Sequence, residues 1–222
     1  MKNFFVKVSD VINSIDKIDW VVGGYLEAGS ISSIVGKKSM NEEKLKVAVS
    51  QAVAVATGSE WNGNKAKKGA VVFVSGASGN KPLEMINDCV IEKGHDIDDV
   101  NVFFAPSNRF LFCESFERAI ERGLNSICAK IGDVSLVVIE SSAFCFVGDA
   151  ELINTARFIV DFYGCHVVIV DDADMGRLGS GGETLLHAAV DDEFLISHDG
   201  SSASYKNTKS RDHQDVKTVF LS

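Results

Sequence analysis

At 222 residues, with 45% hydrophobic and 24% charged residues, the chain has the length and balance of one folded globular domain with a sizeable core. The formal net charge of −9 counts against broad, non-specific DNA binding, which needs clustered Lys and Arg on phosphates, and leaves open only a channel with a few local basic residues. No apolar run approaches the roughly 18 residues of a membrane span and no signal-peptide pattern opens the sequence, so the expectation is a cytoplasmic protein with no membrane partner.

Residues 4–18 carry Phe4, Phe5, Val8, Val11, Ile12, Ile15 and Ile18 at helical spacing, which Gly23-Gly24 breaks. Ser30–Val35 reads as a short strand ending at a loop around Gly36. From Met40 to Thr57 the spacing of Leu45, Val47, Val49, Val53 and Val55, with alanines between, predicts a buried helix that Gly58 ends. Glu60–Gly69 is polar, with Lys65, Lys67 and Lys68, and reads as a solvated loop. Three short β-branched runs, Ala70–Val74, Leu136–Ile139 and Val167–Val170, have the uninterrupted apolar character of strands buried on both faces. Helical segments at 82–93, 114–130 and 149–163 lie between them. This alternation predicts right-handed crossovers and a parallel sheet. A short helix at Thr184–Asp191 and strands at Glu193–Ser197, Ala203–Thr208 and Val216–Leu221 close the C-terminal edge. The aromatic stretch Phe103–Phe112 reads as strand and turn rather than as a base-stacking platform. The five cysteines, Cys89, Cys113, Cys128, Cys145 and Cys165, lack C-x-x-C pairing and read as reduced core thiols; the five histidines show no metal spacing.

In open sheets, ligands bind beyond the carboxyl ends of the strands, so chemistry is expected just after Val35, Val74, Ile139 and Val170. The order Trp20-Val-Val-Gly-Gly-Tyr-Leu-Glu-Ala-Gly29, a strand, then Gly36 resembles the start of the RepA-like hexameric replicative helicase ATPases of the RecA superfamily. Colinear pieces extend the resemblance to the C-terminus: G-A-V-V-F-V-S-G at 69–76, L-V-V-I-E at 136–140, H-V-V-I-V at 166–170, R-L-G-S-G-G at 177–182 and A-A-V-D at 188–191. It implies a single RecA-like α/β domain over 1–222. Within it, residues 1–19 form an N-terminal helical segment, 20–191 a mostly parallel core flanked by helices, and 192–222 antiparallel strands at the C-terminal edge.

The resemblance also says what chemistry to look for. A phosphate loop needs glycines whose N–H groups surround the phosphates, a Lys to neutralise them and a hydroxyl for Mg²⁺. Here the stretch is Gly36-Lys37-Lys38-Ser39-Met40-Asn41-Glu42-Glu43-Lys44-Leu45. Aligned without a gap from Gly36, Glu42 stands at the Lys position and Glu43 at the hydroxyl position. A two-residue insertion brings Lys44 to the Lys position, with Leu45 in the hydroxyl slot. A shortened loop using Lys37, Lys38 and Ser39 is a further register. The family's water-activating Glu is missing from Ser75-Gly76-Ala77-Ser78-Gly79, with Ala77 standing at the altered position. Its Mg²⁺-associated Asp is replaced by Glu140, read either as a remaining metal ligand or as a strand-end carboxylate facing solvent or a Lys. Its phosphate-sensing segment is replaced by Asp171-Asp172-Ala173-Asp174. Arg177 and Lys209-Ser210-Arg211, the latter on a loop between the last two strands, match basic positions of the family, read either as groups that reach a neighbouring subunit's phosphate or as exposed basic residues on loops.

The expectation is a catalytically inactive relative with no cofactor. It would act by homo-oligomerisation or through a replication or recombination protein. Two alternatives stand beside it: a divergent ATPase or helicase using ATP and Mg²⁺, with Gly36, Lys37, Lys38, Ser39 or Lys44 at phosphate, and a single-stranded DNA accessory protein.

Overall fold

The computed structural model describes residues 7–9, 18–75, 80–106, 115–141, 148–172, 185–198, 203–210 and 218–221. A small hairpin, β1 (Trp20–Val22) and β2 (Leu26–Glu27), precedes β3 (Ile31–Gly36), and a 3-10 turn (Lys38–Met40) leads into helix α1 (Asn41–Thr57). The chain continues through β4 (Ala70–Ser75), α2 (Lys81–Glu92), β5 (Val102–Pro106), α3 (Phe116–Ile131), β6 (Val134–Glu140), α4 (Asp149–Tyr163) and β7 (His166–Asp172). A short helix α5 (Leu185–Ala189) and strands β8 (Asp192–His198), β9 (Ala203–Ser210) and β10 (Thr218–Leu221) follow.

The main sheet runs β10-β9-β8-β3-β7-β6-β4-β5. The six strands from β8 to β5 are parallel, and β9 and β10 add antiparallel at one edge. This is the α/β RecA-like architecture expected, with three differences. Strand β8, expected among the edge strands, pairs parallel to β3 and so belongs to the core of the sheet. Strand β5, which is half-buried throughout, forms the opposite edge. The hairpin β1–β2 lies where the sequence showed only a Gly23-Gly24 break, and most of the expected helix at 4–18 lies outside the described residues.

Alternation along the strands divides the core into two layers. Ile34, Val71, Phe73, Leu136, Val138, Val168 and Val170 face α1 and α2, whereas Ile31, Val72, Val74, Val137, Ile139, Val167 and Ile169 face α3 and α4. Both faces are covered, which is why these strands are apolar without interruption. Helix α1 is apolar nearly all round because it is buried nearly all round. Ala48, Ala52, Ala54 and Ala56 let it lie close on the sheet, and it ends where Gly58 takes a left-handed φ of 76° and donates its N–H to the Ala54 carbonyl. Gly69 is needed for a different reason: a Cβ there would stand 1.9 Å from Ser135 Oγ, so β4 could not begin beside β6. Loop 60–69 is polar as expected except at Trp61, which is buried against Tyr25 and Tyr205, and Ala66, which is buried and bridges to Val22.

At the amino end of the sheet, His166 is fully buried with both ring nitrogens engaged. Nδ1 donates to the Glu27 carbonyl at 2.7 Å and lies 3.0 Å from Ser30 Oγ, while Ser32 Oγ lies 2.9 Å from Nε2. Burial pushes its pKa down to about 4, outweighing the Glu27 bond and the Asp191 charge. The unfolded chain therefore takes up a proton below the ordinary value of 6.5 that the folded protein refuses until about pH 4. Stability present above that window should fall by about 3 kcal/mol as pH drops through it. Denaturant midpoints measured across the window should show this fall, and His166→Gln should flatten it; an unchanged slope in the variant would contradict the assignment.

Candidate functional site

The carboxyl ends of β3, β4, β6 and β7 meet the start of α1, where chemistry was expected. Strand β3 ends at Gly36, in register with Asp172 of β7. The chain then passes Lys37, Lys38 and Ser39, all exposed, and buries Met40 before α1 begins. Position 42 sits on the exposed side of the helix. Its carboxylate pairs with Lys81 of α2 at 2.6 Å and Lys46 at 3.4 Å, and the Lys81 hydrogen bond and charge hold it below the ordinary carboxylate range. Glu42, which the gapless register sets at the lysine position, is thus paired with two lysines on the exposed side of α1. Glu43 faces β8, with Oε1 3.7 Å from His198 Nε2 and Oε2 buried.

Lys44, which a two-residue insertion would bring to the lysine position, is the inward residue of the first turn. Its side chain is only 1% exposed. The ammonium donates to the Asp171 carbonyl at 2.9 Å and to Asp172 Oδ1 in a short ion pair. The stem packs over Gly36, where a Cβ would come within 3.4 Å of Lys44 Cδ and 3.2 Å of the Ile196 carbonyl. An unpaired ammonium in such a place costs several kcal/mol, so the lysine is tolerated because β7 ends in acids. Leu45, the next residue, is buried in the core and offers no hydroxyl.

The neighbouring strand ends are satisfied in the same internal way. Ser75 at the end of β4 donates from Oγ to Glu140 Oε2 at 3.0 Å across the β4–β6 pair, and Glu140 is 2% exposed. By alternation both lie on the α1 face, with Lys44 and Asp172. The Ser141 hydroxyl donates to the Asp171 carboxylate. Burial pushes that carboxyl above its ordinary value, against the lowering effect of Ser141. Glu140, read from sequence as a metal ligand or as a carboxylate facing solvent or a lysine, is thus buried and receives a serine hydroxyl. Among the described residues, no three His, Cys, Asp or Glu side chains are grouped to hold a metal ion.

Lys209 lies within β9 rather than on a loop between strands. Its ammonium donates to the carbonyls of His187, Ala188 and Val190, closing the end of α5, where a cation also meets the negative end of the helix. Arg157 of α4 anchors the same corner through Asp191, which also accepts from the Ile31 N–H. Ala77, Arg177 and Arg211 lie outside the described residues.

A triphosphate with its Mg²⁺ needs a free cation, a ring of backbone N–H groups and a hydroxyl at this corner. Among the described residues the donor set does not match that need: Lys44 is already neutralised, Leu45 follows it, and Asp171, Asp172 and Glu140 bring negative charge.

Comparison with known proteins adds one match. The family model described as AAA domain matches residues 2–173, from before the β1–β2 hairpin through the end of β7. None of the curated proteins matches the chain. Among the described residues, no helix is long and apolar enough to cross a membrane. With well over half its length matched, the chain belongs to the AAA domain family, whose fold is that of P-loop nucleoside triphosphatases.

Proposed function

We propose that this AAA-domain protein is catalytically inactive and works by assembly, with copies of itself or with a protein of DNA replication or recombination. The observation that carries the reading is the buried Lys44, whose charge is met in cis by Asp172. For a polyphosphate to reach it, the Asp172 carboxylate must be displaced, and Asp171 and Glu140 would repel the incoming anion at a cost of kilocalories in a low-dielectric corner. A scaffold kept with its chemical corner closed leaves surfaces as the working part. The replication or recombination setting comes from the motif resemblance.

One observation favours a second reading, a divergent ATPase. Lys44 stands in the first turn of α1 and Glu140 at the end of β6, the places where an active site needs a cation and an acid. In that reading Mg-ATP opens the Lys44–Asp172 pair on binding. Titration calorimetry with Mg-ATP separates the two: no saturable heat supports the inactive protein, and a micromolar dissociation constant refutes it.

A further inference from the structure

We infer that Asn62 is a site of spontaneous covalent modification, an ageing switch at the tip of the loop that holds Trp61. This site is independent of the closed corner around Lys44. Asn62-Gly63 is the only Asn-Gly pair in the sequence. Asn62 takes a φ of 47°, the one positive value among the described non-glycine residues, and Gly63 follows at 74°, so the pair fills a tight two-residue turn. The turn is closed by the Trp61 N–H donating to the Asn64 carbonyl and the Asn64 N–H to the Trp61 carbonyl, each at 2.9 Å. Both central residues are exposed, and a Cβ on Gly63 would meet nothing within 4 Å, so the Gly63 backbone is uncrowded on that side. Asn64 Nδ2 donates to the Asn62 carbonyl at 2.9 Å. That carbonyl shares a peptide unit with the Gly63 nitrogen, so the bond draws electron density from the unit and makes its N–H easier to deprotonate.

Hydroxide takes the Gly63 amide proton, and the nitrogen attacks Asn62 Cγ. The N–Cγ bond forms, the Cγ–Nδ2 bond breaks, and Nδ2 takes a proton from water and leaves as ammonia. Water then opens the cyclic imide at either carbonyl. Opening at Cγ leaves aspartate. Opening at the main-chain carbonyl leaves isoaspartate, whose backbone runs through the side chain and is one methylene longer. A two-residue turn cannot take in that methylene and keep both closing bonds, because its length sets the register of its ends. Trp61 is one of those ends, so the longer turn draws its ring away from Tyr25 and Tyr205 and its Nε1 from Ser50 Oγ. The native turn opposes the rotation that starts the reaction, so the folded chain reacts more slowly than the unfolded one.

The experiment ages the full chain at mildly alkaline pH, beside the same chain in urea and beside Asn62→Gly, which keeps the left-handed turn and lacks the carboxamide. Peptide mass spectrometry follows each asparagine, and isoaspartyl methyltransferase labels any isoaspartate. The expected result in the folded chain is conversion at Asn62 ahead of every other asparagine, in proportion to hydroxide and with isoaspartate the major product. Isoelectric focusing should show the converted protein one unit more negative than the starting formal charge of −9. The converted fraction should unfold at lower urea than fresh protein, while Asn62→Gly aged alongside keeps its midpoint. Conversion confined to the urea sample, or no faster at Asn62 than at Asn64 or Asn101, overturns the inference. Conversion at Asn62 that leaves the unfolding midpoint unchanged overturns the switch.

Discussion

Asp172→Asn should destabilise the fold by about 3 kcal/mol, while Lys44→Met should cost about 1 kcal/mol and the double variant no more than Lys44→Met alone. The asymmetry follows from exposure. Removing the carboxylate charge strands an ammonium that is 1% exposed, whereas removing the ammonium leaves a carboxylate that is 36% exposed and can be hydrated. Solvent contact on the acid's side also places the first figure at the low end of what breaking a buried pair costs. Urea unfolding of the four proteins closes the double-mutant cycle. Equal losses for the two single variants would mean that the pair is solvated and that the corner is not closed.

Trp61→Ala should cost about 3–5 kcal/mol, the usual range for deleting a buried aromatic. Trp61 is 4% exposed although it lies in a loop rich in lysine and asparagine. Its ring meets Tyr25 edge-on at 4.8 Å and Tyr205 at 5.6 Å, and Nε1 donates to Ser50 Oγ at 2.8 Å. Tyr205 in turn stacks on Phe194 at 4.6 Å and meets Gln51 of α1. Trp61 thus ties the β1–β2 hairpin, α1 and β9 together, and Tyr205 extends the cluster to β8. Trp61→Phe should lose only about 1 kcal/mol, the worth of the hydrogen bond. Chemical denaturation of both variants checks the contrast; a small loss for Trp61→Ala would show that the cluster repacks.

These cases also mark how far the amino-acid sequence could be read. Strands β4, β6 and β7 were legible because both their faces are covered, which leaves an unbroken β-branched run. Helix α1 was legible from its alanine-rich spacing and its glycine stop. The hairpin β1–β2 was not, since a two-residue strand has no period to detect. Trp61 was misread because polar neighbours set the character of a window, and its partners Tyr25 and Tyr205 come from distant elements. Strand β9 runs past its expected end because Lys209 and Ser210 still pair with Glu193 and Asp192 of β8, and the Lys209 ammonium is taken up by the carbonyls of α5. At the site, spacing alone put Lys44 among several registers. What singled it out was Asp172, which lies 128 positions away and is brought near by the parallel pairing of β3 with β7. The hydroxyls of Ser75 and Ser141 carried no signal, because only the lateral order β7-β6-β4 gives them their carboxylates.

The central claim, that Lys44 is already satisfied by its own chain, is tested most directly by titrating Mg-ATP into the wild-type protein in a calorimeter. The account predicts heats no greater than dilution throughout, with the same trace for Lys44→Met. A saturable isotherm with a micromolar dissociation constant, abolished by Lys44→Met, would contradict it.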